Sequence, residues 1–168
     1  MKRCFNLLTS IFILASTVKA ISNDLANGQL SVHTKVSRIC YVEDADLNFG
    51  TIDGMFLSDT RAHTFIHVTC TEGAHYYLTL NTGNHDQSGI RRLKSTGSES
   101  YIEYFLFQPD MVTPWNLDSY IYSIGTGEDQ AFKVHGLIPS GQKPVSGGYD
   151  YNDYVLINLY LYTPCVGL

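Results

Sequence analysis

Apolar and polar residues alternate along several short stretches of this chain, the period expected of strands with one buried and one wet face. Over residues 64–70 the inward set is Ile66, Val68 and Cys70, with His63, Phe65 and His67 on the other face. A turn at Glu72 and Gly73 leads into a second inward row of Tyr76, Leu78 and Leu80. Residues 81–89, rich in Gly, Asn and Asp, read as a loop. Residues 101–107 place Ile102, Tyr104 and Leu106 on one face. They end at Gln108-Pro109-Asp110, where the missing proline amide suits an exit from a ladder.

Residues 118–129 hold a short apolar patch and a Gly125-Thr126-Gly127 turn, and residues 132–138 form a further strand. A Gly/Pro-rich turn over residues 140–150 precedes the last alternating stretch. There Val155, Ile157, Leu159 and Leu161 share one face, and Tyr154, Asn158, Tyr160 and Tyr162 the other. Beyond residue 20 no helix-length apolar stripe occurs, so the spacing predicts an all-β sandwich or barrel of about seven strands. Residues 21–28 are polar, and alternation begins only at Leu30, Val32, Thr34 and Val36. This stretch reads either as a first strand after a loose tail or as an arm whose alternate side chains fit another molecule's groove.

The first 20 residues have a different pattern. Lys2 and Arg3 form a basic start, residues 5–18 an apolar run, and Val18-Lys19-Ala20 a small-residue cleavage site, which together read as a secretory signal peptide. The run is short of the roughly 20 apolar residues of a membrane span, and no comparable run follows. The expectation is therefore an exported chain of 148 residues from Ile21, with a retained anchor as the alternative and no stable membrane insertion.

Removing residues 1–20 deletes three basic residues and no carboxylate, leaving 8 Lys and Arg against 16 Asp and Glu, a formal charge of -8. Phosphate contacts need clustered Lys and Arg, and Arg91, Arg92 and Lys94 are too few, so neither nucleic acid nor an anionic membrane surface is an expected partner. The length suits one domain with a substantial core. All 12 tyrosines lie in the exported part and read as cross-strand packing with hydroxyls toward water, a sugar-binding platform being the alternative. Cys40, Cys70 and Cys165 also remain there. Cys40 and Cys70 make the better pair because both adjoin strand-like segments. Cys165 is then left for an intersubunit bond, a free thiol or another partner within the chain.

Five ordered pieces carry a family resemblance. They are Cys40 followed by Leu47-Asn48-Phe49-Gly50; residues 66–71 with Gly73 and Tyr76; residues 89–92; residues 102–107; and residues 134–142. Gly148, Tyr151 and Asp153 then precede the last strand. From about Leu30 to Tyr162 this order resembles the spore coat protein U domain family, which includes the major subunits of archaic chaperone–usher pili. The resemblance implies an immunoglobulin-like β-sandwich that lacks its final strand and is completed by a donor strand. It also implies a periplasmic pilus chaperone, an outer-membrane usher and neighbouring copies or homologous subunits as partners, through β-strand addition. On this reading Leu30, Val32 and Thr34 belong to the donor segment. Ile66, Val68, Tyr104, Val155, Ile157 and Leu159 belong to the groove and core, and Cys40 and Cys70 to a disulfide. The expected organisation is a signal peptide over 1–20, a donor segment over 21–34, the sandwich over 35–162 and a tail over 163–168.

Candidate chemistry is sparse. His63 and His67, four apart on a strand, have Cα atoms about 13 Å apart, too far for one ion to take both without severe bending. Asp44-Ala45-Asp46 and Asp150-Tyr151-Asn152-Asp153 are fragments of calcium loops without the full ligand set. Nucleophile-elbow, zinc-protease and phosphate-loop patterns are absent from the sequence. No carboxylate pair stands out for glycoside hydrolysis. The expectation is a non-enzymatic protein with no catalytic residue, metal or cofactor. Its function is that of a structural subunit of a secreted surface fibre or coat, periplasmic in transit and then at the cell surface or in an extracellular fibre. The alternative is a secreted carbohydrate- or surface-binding module that does not polymerise, with exposed Tyr, Trp115 and loop residues as contacts. Adhesion, biofilm and spore coat all remain open as roles.

Overall fold

The computed structural model describes residues 27–52, 58–145 and 149–164. The expected signal peptide, the first residues of the donor segment, Gly148 and Cys165 lie outside them. The chain separates between Lys35 and Val36 into two units. Residues 27–35 form no regular element, and Leu30 and Val32 are exposed there.

From Val36 on, every regular element among the described residues is a strand. In chain order they are β1 (Cys40–Val42), β2 (Thr60–Cys70), β3 (His75–Leu80), β4 (Arg91–Ser95), β5 (Tyr101–Phe107), β6 (Ile121–Ile124), β7 (Asp129–Ile138), β8 (Tyr151–Asn152) and β9 (Ile157–Tyr162). They form two layers of unequal width. One sheet has six strands in the order β1-β2-β7-β5-β4-β8, the other three in the order β6-β3-β9. The result is an incomplete, immunoglobulin-like sandwich.

Alternation dictates the packing between these layers. Ile66, Val68 and Cys70 of β2, Ile102, Tyr104 and Leu106 of β5, and Val134 and Ile138 of β7 face Tyr76, Leu78 and Leu80 of β3 in one buried cluster. Burying each such side chain is worth about 1.5–3 kcal/mol against leaving it in water. The β2–β7 ladder, from Thr60 opposite Ile138 to Thr69 opposite Asp129, is the longest pairing. Cys40 stands directly opposite Cys70 and the two are disulfide-bonded.

Several boundaries differ from the pattern-based expectation. Among the described residues there are nine strands instead of about seven, the extra ones being short or charged. Residues 91–95, noted in the sequence only for a short basic cluster, are a strand held between β5 and β8, with Arg91 and Ser95 buried. The last strand starts at Ile157, and residues 153–156 run outside it. Tyr154 and Tyr160 are exposed while Val155, Ile157 and Leu159 are half-buried, so the faces are as read, but Leu161 is exposed near the strand's end. Trp115, an exposed ligand contact only on the binding-module alternative, is fully buried. It fills the space beside β3 and donates its indole N–H to the Leu78 carbonyl at 3.3 Å.

Between β1 and β2 the described residues 43–52 cross the core without forming a strand. Leu47, Phe49 and Ile52 pack on the cluster, Phe49 meeting Tyr104 edge-on with ring centroids 6.3 Å apart. Gly136 makes room for this crossing, since a Cβ there would lie 2.7 Å from Phe49 Cζ and 2.9 Å from Leu47 Cδ2. Gly136→Val should therefore destabilise the fold by about 1–3 kcal/mol through overpacking. Urea unfolding should show a smaller cost for the same change in a Phe49→Ala background, because the two sites share one space. Replacing both Cys40 and Cys70 by Ala should cost about 2–5 kcal/mol, the usual range for a native disulfide in a small secreted domain, read from the same unfolding midpoints.

Candidate functional site

The unequal layers leave a groove on one side of the sandwich. Its floor is the buried core itself, with Ile66, Leu80, Leu93, Tyr104, Leu106 and Val134 lining a cavity of about 570 Å³. One bank is the crossing segment from Val42 to Phe49, the other the segment from Asp153 to Ile157. A second cavity of about 700 Å³ shares Asp46, Leu47, Phe49, Leu93 and Asp153 with the first. It extends over Ile102 and Ile138 toward Tyr149 and Tyr151. Among the described residues β1 pairs only with β2, and β9 only with β3, so each offers an unpaired edge. An apolar floor beside free strand edges is what an added strand needs: backbone partners along its length and a place for alternate side chains.

A buried polar clasp shapes the second bank. The Asp153 side chain is 1% exposed and accepts from the backbone N–H groups of Asn84 (2.9 Å) and His85 (3.2 Å) and from the Tyr104 hydroxyl (2.7 Å). His85 Nδ1 lies 3.1 Å from the same carboxylate. Gly83, at φ +83°, permits this approach, since a Cβ there would fall 2.0 Å from Asp153 Oδ2. Beside it Arg91 donates to the carbonyls of Asn81 and Trp115, at 2.9 and 2.8 Å. Asn81 in turn accepts from the Leu156 N–H at 2.8 Å, tying residues 153–156 to the end of β3. Burial, then the bond to Asp153, holds the Tyr104 phenol far above its ordinary range, and burial pulls the Arg91 guanidinium down from its own. None of these groups is placed to attack a substrate. Their bonds close on one another and on the backbone.

The residues singled out from the sequence are distributed as follows. Ile66 and Tyr104 form the groove floor, and Val155 and Ile157 its second bank. Val68 and Leu159 pack in or against the core outside the cavity. Leu30, Val32 and Thr34 belong to the first unit. The histidines do not converge. His63 faces His135 across the β2–β7 ladder with ring centroids 6.2 Å apart, while His67 Nδ1 bonds Asp129 at 2.7 Å. That bond raises the imidazole pKa of His67, whereas burial lowers that of His135. Among the described residues no group of three or more His, Cys, Asp or Glu side chains could hold a metal ion.

On the outer face of the small sheet, Tyr77 lies between Tyr122 and Tyr160 in register. Tyr77 stacks on Tyr160 at 4.9 Å with an interplanar angle of 18°, and meets Tyr120 at 5.3 Å. The Tyr77 and Tyr160 rings direct their faces to each other as a packed cross-strand pair, while Tyr120, Tyr122 and Tyr160 keep exposed surface.

The model of the Spore Coat Protein U domain family matches residues 26–158. The chain belongs to this family. It is 28% identical to Protein U of Myxococcus xanthus, over 67% of this chain and 70% of that protein. Among solved structures it is similar to a chain of the CsuC–CsuE chaperone–tip adhesion subunit pre-assembly complex from the archaic chaperone–usher Csu pili of Acinetobacter baumannii. The TM-score is 0.54 at 26% identity, covering 74% of this chain. This chain spans 40% of the length of that one.

Removing the clasp should weaken the groove wall. Asp153→Ala leaves several buried donors unpaired and should cost about 2–4 kcal/mol, while Tyr104→Phe, which deletes one bond, should cost about 1–2 kcal/mol. Amide exchange should show the larger loss of protection at residues 81–85 and 153–156, if the clasp holds those segments together.

Proposed function

We propose that this protein is a non-enzymatic structural subunit of a surface fibre or coat, assembled by donor-strand exchange. The observation that carries this reading is the groove: a buried-core floor between Val42–Phe49 and Asp153–Ile157, with the β1 and β9 edges unpaired. Family membership and the likeness to a chain of a chaperone–subunit complex support it. A periplasmic chaperone strand fills the groove first, an outer-membrane usher receives the complex, and the arm of a neighbouring copy then replaces the chaperone. The arm is residues 21–34, with Leu30, Val32 and Thr34 toward the groove floor. Residues 1–20 direct export and are removed, and 35–162 form the sandwich that accepts the arm. The chain passes through the periplasm before reaching the cell surface.

Each copy donates one arm and accepts one, so the contact is head-to-tail and does not close on itself. The test is to purify residues 21–168 and 35–168 and follow size by light scattering and unboiled SDS gels. The longer chain should form SDS-resistant ladders that the shorter cannot extend. Stable monomers from both would overturn the reading and favour a secreted binding module.

A further inference from the structure

Four carboxylates line the first cavity, Glu43, Asp44, Asp46 and Asp153, and no Lys, Arg or His does. Asp153 is buried and engaged in the clasp, whereas Glu43, Asp44 and Asp46 are exposed along one bank. Past Asp24, the arm and the residues that follow it have the opposite character. Residues 25–42 contain no Asp or Glu, although the chain has 16 of them, and they include His33, Lys35 and Arg38. Arg38 is held by its own domain, donating to the Tyr162 carbonyl at 3.1 Å and the Thr163 hydroxyl at 2.8 Å, so Lys35, directly after the arm and in the same unit, is the cation nearest to it.

We infer that the acidic bank formed by Glu43, Asp44 and Asp46 selects and orients the incoming arm of a second copy by pairing with its carboxylate-free, Lys35-bearing face. This rests on the strand-exchange reading above and adds the recognition element to it. An extended strand sends alternate side chains to opposite faces. When Leu30, Val32 and Thr34 enter the floor, Ser31, His33 and Lys35 stay at the rim, level with the bank. The copies are otherwise acidic and repel one another, so residues 25–35, which carry no carboxylate, are the part that can approach a negative groove without penalty. A strand entering with Asp or Glu at the rim positions would meet like charge along the exposed bank. The apolar floor then supplies affinity, and the bank supplies encounter rate and choice of partner.

The probe is a fluorescent synthetic peptide of residues 25–37, mixed with the full mature chain (21–168), whose filaments each offer one free groove, at the end opposite the free arm. Association is followed by stopped-flow anisotropy. The association rate should fall roughly tenfold between 20 and 500 mM salt, as screening shortens the reach of the field, with little change in dissociation. A Lys35→Glu peptide should bind several-fold more slowly. Its rate should recover on a chain carrying Glu43→Lys, Asp44→Lys and Asp46→Lys, which should in turn disfavour the native peptide. The peptide substitution needs no refolded variant, so its result stands even where the reversed bank perturbs the chain. A rate indifferent to salt and to Lys35, but abolished by Leu30→Ser with Val32→Ser, overturns the charge inference and leaves strand exchange standing. Failure of the native peptide to bind overturns both.

Discussion

Six strands face three, and that mismatch governs the molecule. A sandwich hides its core by covering each sheet with the other, and a three-stranded layer cannot cover a six-stranded one. The chain partly makes up the difference with the irregular segment carrying Leu47, Phe49 and Ile52, which rests on the core without contributing to either ladder. What remains uncovered is the groove. Its apolar floor is therefore the ordinary interior of a β-sandwich reaching the surface where one strand's width is missing.

The polar clasp belongs to the same constraint. Where the small sheet ends, backbone groups that would have found ladder partners must find others. Asp153 serves the Asn84 and His85 amides, Asn81 that of Leu156, and Arg91 several carbonyls at once. Placing a carboxylate and a guanidinium in the interior is costly unless their bonding is complete, and here each is bonded on several sides. The bank of the groove is thus rigid because its polar atoms are committed.

Much of this architecture was legible in the alternation. The rows Ile66/Val68, Tyr76/Leu78/Leu80 and Ile102/Tyr104/Leu106 declare their buried faces because each strand has one wet side. β4 was not legible, since in Arg91-Arg92-Leu93-Lys94-Ser95 the buried residue is an arginine whose partners are carbonyls distant in sequence. Trp115 lies in an irregular stretch without periodicity, so nothing local distinguishes a buried indole there from an exposed one. The two-residue β8 exists only because β4 is there to pair with it. The groove is a relation between residues 42–49 and 153–157, and its acidity shows only once those segments are side by side.

The disulfide has a mechanical meaning. β1 is three residues long and sits at the sheet's margin, so its few hydrogen bonds would peel under modest tension. The bond from Cys40 crosses directly to Cys70 at the end of the longest strand, β2, which is paired along ten positions to β7. A pull on the chain ahead of Cys40 is therefore passed covalently past the edge strand into β2, the second strand of the six-stranded sheet. It loads the β2–β7 ladder in shear, where many bonds resist together, and leaves the weak marginal strand almost without load.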